Sequence, residues 1–331
     1  MKSRHTSRGP GRPLAANATL THAHDIPVVM PYRLDLTVSV LRRLSTNVVD
    51  LLTPEGLYVR ALSGWPGPVI VRATHISHEN LLSVTIQGDA SEHAGALMTV
   101  RQMLGVDRNL MDFDQSAAQI PWLAPLVERM RGVKPPRYPT LWEACANAIA
   151  FQQVSLRAAS AIMQRLIVAL GRRIEVNDLP MPLYAFPPAE SLLSASDDFL
   201  RSTGLSANKV ATLRRVAEAL ASGSLDATTL DRCGSADAAT ILCGIKGIGP
   251  WTAAVILLRG LGRLDVFPAN DTSVMSNIAL VTGSAPFDVQ SPLYDLGPQR
   301  GMLYFYLLLA RLEARGEIGR PSFEGPPLST G

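Results

Sequence analysis

The segment Leu242-Cys-Gly-Ile-Lys-Gly-Ile-Gly-Pro-Trp-Thr-Ala253 decides the fold of the C-terminal part of the chain. Its Gly-Ile-Gly turn lies between two apolar stretches with helical spacing, which Leu242 and Ile245 can fasten together. Pro250 suits the first turn of the second helix, because it lacks an N–H that would go unpaired there. Glycine at positions 247 and 249 leaves bare amides at that helix N-terminus, so that a phosphate can approach closely. The segment therefore predicts a helix–hairpin–helix that grips a phosphate backbone.

A carboxylate follows the hairpin at short range. The stretch Asp265-Val-Phe-Pro-Ala-Asn-Asp271 comes after the second helix, so Asp271 can lie beside a phosphate backbone that is bound at the hairpin. Between positions 201 and 263 there are eight Lys or Arg and four Asp or Glu, an excess of positive charge that suits phosphate contact. An ordinary solvated basic surface is the alternative explanation of this charge. Asp265 and Asp288 are the alternative candidates for this carboxylate if Asp271 does not provide it.

Composition narrows the classes of protein that this chain can represent. Its 331 residues suffice for about two or three domains. No apolar run reaches the roughly 20 residues that cross a bilayer. The three cysteines are too few and too scattered for a disulfide framework or a metal site. We therefore expect a cytoplasmic protein without a metal centre or a membrane partner, and we expect it to be a monomer.

The hydrophobic pattern changes once along the chain. From about 32 to 88 it alternates with period two, which predicts an antiparallel sheet that starts with a strand over 32–40. After Gly105 apolar residues recur at helical spacing as far as Ala314. Segregated strands and helices predict an α+β fold rather than a doubly wound one.

The domain boundaries follow from this change of pattern. The first 31 residues are basic and poor in large apolar residues, and the last 16 are rich in Gly, Pro and Ser. The predicted parts are a disordered basic tail, 1–31; an N-terminal β-rich domain, 32–105; an all-α, two-lobed helical region, 106–315, with the hairpin at 242–253 and the aspartate loop at 265–271; and a flexible tail, 316–331.

Further pieces of sequence accompany the hairpin. Trp251-Thr-Ala253 and Phe267-Pro-x-x-Asp271 follow it, and Ile149-Ala-Phe-Gln-Gln-Val-Ser155 and Gly204-Leu-Ser-x-x-Lys209 precede it. With these pieces, residues 32–312 resemble the helix–hairpin–helix, Gly/Pro-Asp superfamily of base-excision DNA glycosylases. The resemblance is greatest to its alkylpurine branch, the 3-methyladenine DNA glycosylase II type. It implies an enzyme that flips an alkylated purine out of the duplex and hydrolyses its N-glycosidic bond.

The resemblance implies roles for individual residues. Asp271 matches the catalytic aspartate, and Gln153 falls where the family places the wedge that fills the gap left by the flipped base. The hairpin that holds damaged double-stranded DNA is matched by Ile245, Lys246, Gly247, Ile248 and Gly249. In relatives the carbonyls of such a hairpin often ligate a sodium or potassium ion, which here places it on Ile245 and Ile248; no other cofactor is implied. The base-pocket candidates are Trp251, Phe151, Thr272 and Tyr304, with Phe305 and Tyr306 as alternative aromatics.

Three positions refine the chemistry that the resemblance implies. Bifunctional members carry a nucleophilic lysine where this chain has Trp251, so a monofunctional glycosylase that leaves an abasic site is implied. Val255 and Thr272 stand where relatives often carry tyrosine, which leaves hypoxanthine or an oxidised purine as alternative substrates. A non-catalytic damage-binding protein that uses the same hairpin is the other alternative.

Overall fold

The computed structural model describes residues 20–63, 67–176, 178–179, 181–268, 272–283 and 288–318, and it confirms the α+β class. An antiparallel sheet comes first in the chain and helices follow as far as Ala314. In the described ranges, no helix is long and apolar enough to cross a membrane.

The N-terminal sheet is antiparallel throughout. Its strands are β1 (Leu20–Pro27), β2 (Leu51–Leu52), β3 (Tyr58–Leu62), β4 (Val69–Ile76) and β5 (Leu81–Gly88), in the spatial order β1-β5-β4-β3-β2. Alternate residues of β5 are buried, as the period-two pattern predicts, because one face of the sheet packs on the helix over His93–Leu104.

Two predictions about the start of this domain are wrong, and a third is wrong for the first residues of the C-terminal tail. Residues 20–27, assigned to the disordered tail, form edge strand β1, which pairs with β5. Residues 32–40, predicted as a strand, lie largely in helix α1 (Leu34–Arg42). Residues 316–318, assigned to the flexible tail, contact the turn after α1: the Ser45 amide donates to the Glu317 carboxylate over 2.8 Å.

The remaining helices lie between residues 93 and 314. They are α2 (His93–Leu104), α3 (Met111–Ala118), α4 (Ala124–Arg129), α5 (Leu141–Ala150), α6 (Leu156–Leu170), α7 (Ala189–Ser194), α8 (Asp197–Ser202), α9 (Ala207–Ala221), α10 (Ala227–Arg232), α11 (Ser235–Cys243), α12 (Pro250–Ile256), α13 (Thr272–Thr282), α14 (Gln290–Asp295) and α15 (Met302–Ala314). A π-helical turn, Leu257–Leu261, continues α12. Two short strands, β6 (Arg173–Ile174) and β7 (Leu183–Tyr184), pair with each other, so the prediction that residues 106–315 are all-α is wrong for this small sheet.

The helices pack around two apolar cores, which confirms the prediction of a two-lobed helical region. The first core joins α5, α6, α9, α11 and α12. The second joins α3, α4, α13, α14 and α15, and α1 contributes Leu36 and Val40 to it. Since α1 also buries Leu34, Val38 and Leu41 against the sheet, it connects the sheet to the second lobe.

A buried ionic cluster connects the sheet to the first lobe. Arg60 of β3 donates to Asp50 over 2.6 Å and to both carboxylate oxygens of Glu143 in α5 over 2.6 and 2.5 Å. The Tyr58 hydroxyl also donates to Asp50, over 2.8 Å. Burial raises the pKa of Glu143 to about 6, and the charge of Arg60 opposes that rise. Each charge in the cluster thus depends on its partner for stabilisation.

Candidate active site

A cleft of about 980 Å³ lies between the two helical lobes. It brings together residues of the hairpin, the turn between α5 and α6, and helices α9, α13 and α15, with one residue from the N-terminal domain. The residues on which the site depends are Arg43, Phe151, Gln152, Gln153, Thr212, Gly247, Gly249, Trp251, Thr252, Ser276, Asn277, Tyr304 and Arg311.

The two hairpin glycines serve different purposes. Gly247 has φ +103°, and a Cβ atom there would collide with the side chain of Thr212 in α9, so the fold itself requires glycine. Gly249 has φ −98°, and a Cβ atom there would have no protein atom within 4 Å. A side chain at position 249 would therefore extend into the space from which a ligand reaches the start of α12.

Apolar contacts anchor the hairpin to the first lobe. Ile248 is 4% exposed and belongs to the first core, and Ile245 packs against the same core. Lys246 is exposed at the tip. The α11–turn–α12 geometry predicted from Leu242 and Ile245 is thus present, and its positively charged tip faces solvent.

Hydrogen bonds fix the hairpin backbone. Gln152 donates from its side-chain amide to the Gly247 carbonyl over 3.0 Å and to the Thr252 hydroxyl over 2.7 Å. Arg215 of α9 donates to the Lys246 carbonyl over 3.0 Å. The hairpin therefore has a defined position relative to both the α5–α6 turn and α9.

The start of α12 suits an anionic ligand. Gly249 is the residue before the helix, its backbone is extended, and Pro250 occupies the first turn. No side chain caps this helix end, so its first amides depend on solvent or on a ligand for hydrogen bonds. In the described part of the chain, no Asp or Glu lines the cleft beside it.

The turn between α5 and α6 holds the predicted wedge. Gln153 is exposed and has φ +52°, a left-handed conformation that is uncommon for a residue other than glycine. The turn is secured on both sides. The Ser155 hydroxyl caps α6 by accepting from the Ala158 amide, and Lys209 donates to the Ala150 carbonyl over 2.9 Å at the end of α5. The side chain of Gln153 is thus held at the rim of the cleft.

Three of the predicted pocket residues line the cleft. Trp251, Phe151 and Tyr304 do so, whereas Phe305 and Tyr306 are 0% and 1% exposed in the second core. The buried indole N–H of Trp251 has no acceptor among the described residues. One face of the Phe151 ring is covered by Arg43, whose guanidinium carbon lies 3.6 Å from the ring centroid.

Two further predicted positions have different outcomes. Val255 is 2% exposed in the first core and is absent from the residues that line the cleft, so the fold places it in packing rather than beside the base. Asp271 and the side chain of Thr272 lie outside the described residues. Helix α13, which follows Asp271 in the sequence, reaches the cleft with Ser276 and Asn277.

Several cleft residues had no predicted role. Gln152 lies within the quoted Gln-Gln-Val-Ser stretch, but that pattern does not show which of the two glutamines braces the hairpin. Arg311 of α15 donates to the Ser276 hydroxyl over 3.0 Å and to the side-chain oxygen Oδ1 of Asn277 over 2.8 Å, and so connects two helices of the second lobe. Arg43 comes from the N-terminal domain, and no local signal relates it to a cleft formed by residues more than 100 positions away.

Residues 146–287 match the family described as HhH-GPD superfamily base excision DNA repair protein. The matched region contains the hairpin and the α5–α6 turn that form one side of the cleft. Residues 146–287, somewhat less than half of the chain, are therefore similar to members of this superfamily.

Two curated proteins are similar to this chain over part of their length. A DNA-3-methyladenine glycosylase of Bacillus subtilis (strain 168) is 28% identical over 182 residues, which cover 55% of this chain and 59% of the relative. A probable bifunctional transcriptional activator/DNA repair enzyme AlkA of Mycobacterium tuberculosis (strain ATCC 25618 / H37Rv) is 30% identical over 218 residues, which cover 66% of this chain and 42% of the relative. The chain therefore spans about half the length of these curated relatives.

A solved structure supports the same architecture. The 3-methyladenine DNA-glycosylase from Archaeoglobus fulgidus superposes on this chain with a TM-score of 0.73 at 24% identity. The superposition covers 88% of this chain and 99% of that structure. The two molecules therefore share their fold over most of this chain.

Proposed function

We propose that this protein is a monofunctional DNA glycosylase that hydrolyses the N-glycosidic bond of an alkylated base in double-stranded DNA and leaves an abasic site. The observation that carries the proposal is the common cleft of the hairpin, Gln153 and three aromatic side chains. This arrangement provides a phosphate grip, a wedge and a pocket for a flipped base within one site. The names of the curated relatives support the same substrate class.

Base flipping explains why these parts lie together. A base stacked in a duplex hides its glycosidic bond, so it must be extruded at a cost of a few kcal/mol. Amides at the start of α12 hold the backbone, Gln153 fills the vacated stack, and Phe151, Trp251 and Tyr304 receive the base. Each contact offsets part of the extrusion cost.

The chemical step needs little beyond one carboxylate. Departure of a damaged base leaves an oxocarbenium-like sugar, which a nearby carboxylate stabilises by charge while it positions water. We assign this role to Asp271. Asp271 precedes α13 in the sequence, and α13 contributes Ser276 and Asn277 to the cleft.

The lysines of the chain support monofunctional chemistry. They occur at positions 2, 134, 209 and 246. Among the described residues no lysine lines the cleft, and Lys134 and Lys209 donate to backbone carbonyls. Since a lyase of this kind needs an amine that reaches the sugar C1′, Trp251 in that position leaves hydrolysis as the reaction. Borohydride added during turnover should therefore trap no protein–DNA adduct.

A monovalent cation fits the hairpin as a structural ligand. The carbonyls of Ile245 and Ile248 would hold it; the Ile245 carbonyl also accepts the Ile248 amide over 2.9 Å and retains a second lone pair. The carbonyls of Lys246 and Gly247 are already engaged by Arg215 and Gln152. Bound there, the ion would add positive charge next to the docked phosphate.

The decisive test is Asp271→Asn, with Asp265→Asn as the matched control because Asp265 is exposed and lies in the same loop sequence. In single-turnover assays on methylated duplex DNA, we expect D271N to lose about 10²–10³-fold in excision rate, since removing one electrostatic stabiliser of a transition state costs that much. DNA affinity should persist. If D271N excised the base at the wild-type rate, the assignment of Asp271 would be wrong. If the wild-type protein bound damaged duplex DNA without excising a base, it would instead be a non-catalytic damage-binding protein.

A further inference from the structure

The floor of the cleft carries a buried positive charge. Arg43 is 5% exposed, lines the cleft, and stacks its guanidinium on Phe151 at 3.6 Å from the ring centroid. Tyr304 lies near enough to Arg43 to influence its charge. Arg43 therefore covers one of the three aromatic residues that would receive a flipped base and lies near a second.

The backbone fixes this placement. Arg43 ends α1 with φ +60°, and its amide donates to the Ser39 carbonyl over 2.9 Å. Helix α1 is itself packed on both the sheet and the second lobe. The guanidinium is thus held in position by the fold and does not depend on a mobile loop.

The charge of Arg43 is poorly compensated within the described residues. Asp50 and Glu143, which line a small cavity together with Arg43, are both engaged by Arg60, and the buried Arg259 donates to the Val40 carbonyl. Among these described groups three guanidinium groups face two carboxylates, and one positive charge remains; the carboxylate that we assign to Asp271 acts at the sugar and not at the base. Burial lowers the pKa of Arg43 and the nearby Arg259 lowers it further, while the Tyr138 and Tyr304 hydroxyls act in the opposite direction.

This charge has opposite effects on two kinds of damaged base. A purine alkylated at N3 or N7 is a cation, and a pocket attracts it through the open face of an aromatic ring. Here the Arg43 guanidinium covers one face of the Phe151 ring. It repels a cationic base, because the space between them is partly shielded from water. A neutral base with a ring-nitrogen or carbonyl acceptor can instead accept a hydrogen bond from the Arg43 guanidinium.

We propose that Arg43 determines specificity, making the pocket favour neutral alkylated purines that carry a hydrogen-bond acceptor over cationic ones. This inference rests on the proposed glycosylase function and names the class of substrate within it. Arg43 acts by touching the base; it takes no part in breaking the bond.

The test compares two alkylated purines that differ in charge, neutral 1,N6-ethenoadenine and cationic 7-methylguanine, placed in the same duplex. Single-turnover rate constants are measured for the wild type, Arg43→Met and Arg42→Met. Arg42 is the matched control, because it precedes Arg43 but does not line the cleft, and its guanidinium donates to the Glu317 carbonyl. The ratio of the ethenoadenine rate to the methylguanine rate should fall about 10-fold or more in R43M, and it should stay within about twofold in R42M.

The ratio separates specificity from folding, since a variant with less folded protein loses both rates equally. An unchanged ratio in R43M would overturn the inference and leave the glycosylase function standing. A wild type inactive on both duplexes would overturn the glycosylase function, and the inference would fall with it.

A second measurement uses the unaltered protein, in case R43M does not fold. Binding of 1,N6-etheno-9-methyladenine and of 7,9-dimethylguaninium, at a pH low enough for the latter to keep its N1 proton and its positive charge, is measured by quenching of tryptophan fluorescence. We expect the neutral ligand to bind at least about 10-fold more tightly. Tighter binding of the cation would refute the inference.

Discussion

At the residue scale, Gly247 and Gly249 separate the requirements of the fold from those of ligand binding. Gly247→Ala places a Cβ in a left-handed conformation against Thr212, so we expect a loss of about 2 kcal/mol or more in the free energy of unfolding. Gly249→Ala meets open space and costs about 1 kcal/mol or less, as a change at the residue before a helix. Urea denaturation measures both.

The same pair tests the phosphate grip. If a phosphate docks on the amides at the start of α12, G249A should weaken binding to duplex DNA at least about 10-fold despite its near-normal stability, because the methyl group extends into the docking space. Fluorescence anisotropy at constant salt measures this affinity. Wild-type affinity in G249A would show that the backbone does not approach this helix end.

At the element scale, the turn between α5 and α6 combines an uncommon conformation with a proposed task. Gln153→Gly removes the cost of φ +52°, so we expect the free energy of unfolding to stay equal or to rise by up to about 1 kcal/mol. Without the wedge, excision from a fully paired duplex should fall about 10-fold, while excision from single-stranded DNA should change little. Val154→Ala, at the exposed neighbouring position, is the control. Equal losses on both substrates would argue against a wedge role.

Helix α1 shows at this scale why part of the fold was not predictable from sequence. Its polar residues Thr37 and Ser39 are 0% and 3% exposed, because the helix is covered by the sheet on one side and by the second lobe on the other. A period-two alternation therefore does not correspond to an exposed and a buried face. Strand β1 was missed for a related reason: it is mostly exposed, and its pairing with β5, some 60 residues away, decides its conformation.

The candidate site also has a part that was predictable from the sequence and a part that was not. The hairpin was predictable because its glycines, its proline and its apolar anchors lie within 12 consecutive residues. Arg43 was not, because it reaches Phe151 only through the packing of α1, and its own sequence surroundings resemble an ordinary basic turn. A motif formed by consecutive residues can be predicted from the sequence. A pocket residue that comes from a distant element can be identified only once the fold is known.

At the scale of the whole molecule, the sheet and the first lobe depend on Arg60. Arg60→Met leaves Asp50 and Glu143 buried without their counter-ion, so we expect a loss of about 3–5 kcal/mol in the free energy of unfolding. Arg72→Met is the matched control, because Arg72 pairs with the exposed Asp178, and the expected loss there is below about 1 kcal/mol.

The loss in R60M should depend on pH in a defined direction. Burial already raises the pKa of Glu143 to about 6 from an ordinary value of 4.5, and Arg60 is the group that holds it down. Without Arg60 the folded-state pKa rises further, so the folded protein binds a proton that the unfolded chain releases. The deficit relative to wild type is then larger at pH 8 than at pH 5, because it shrinks as the pH falls through the raised folded-state pKa of Glu143. Urea denaturation at both pH values measures it, and a deficit that grew on acidification would mean that Arg60 does not compensate buried carboxylates.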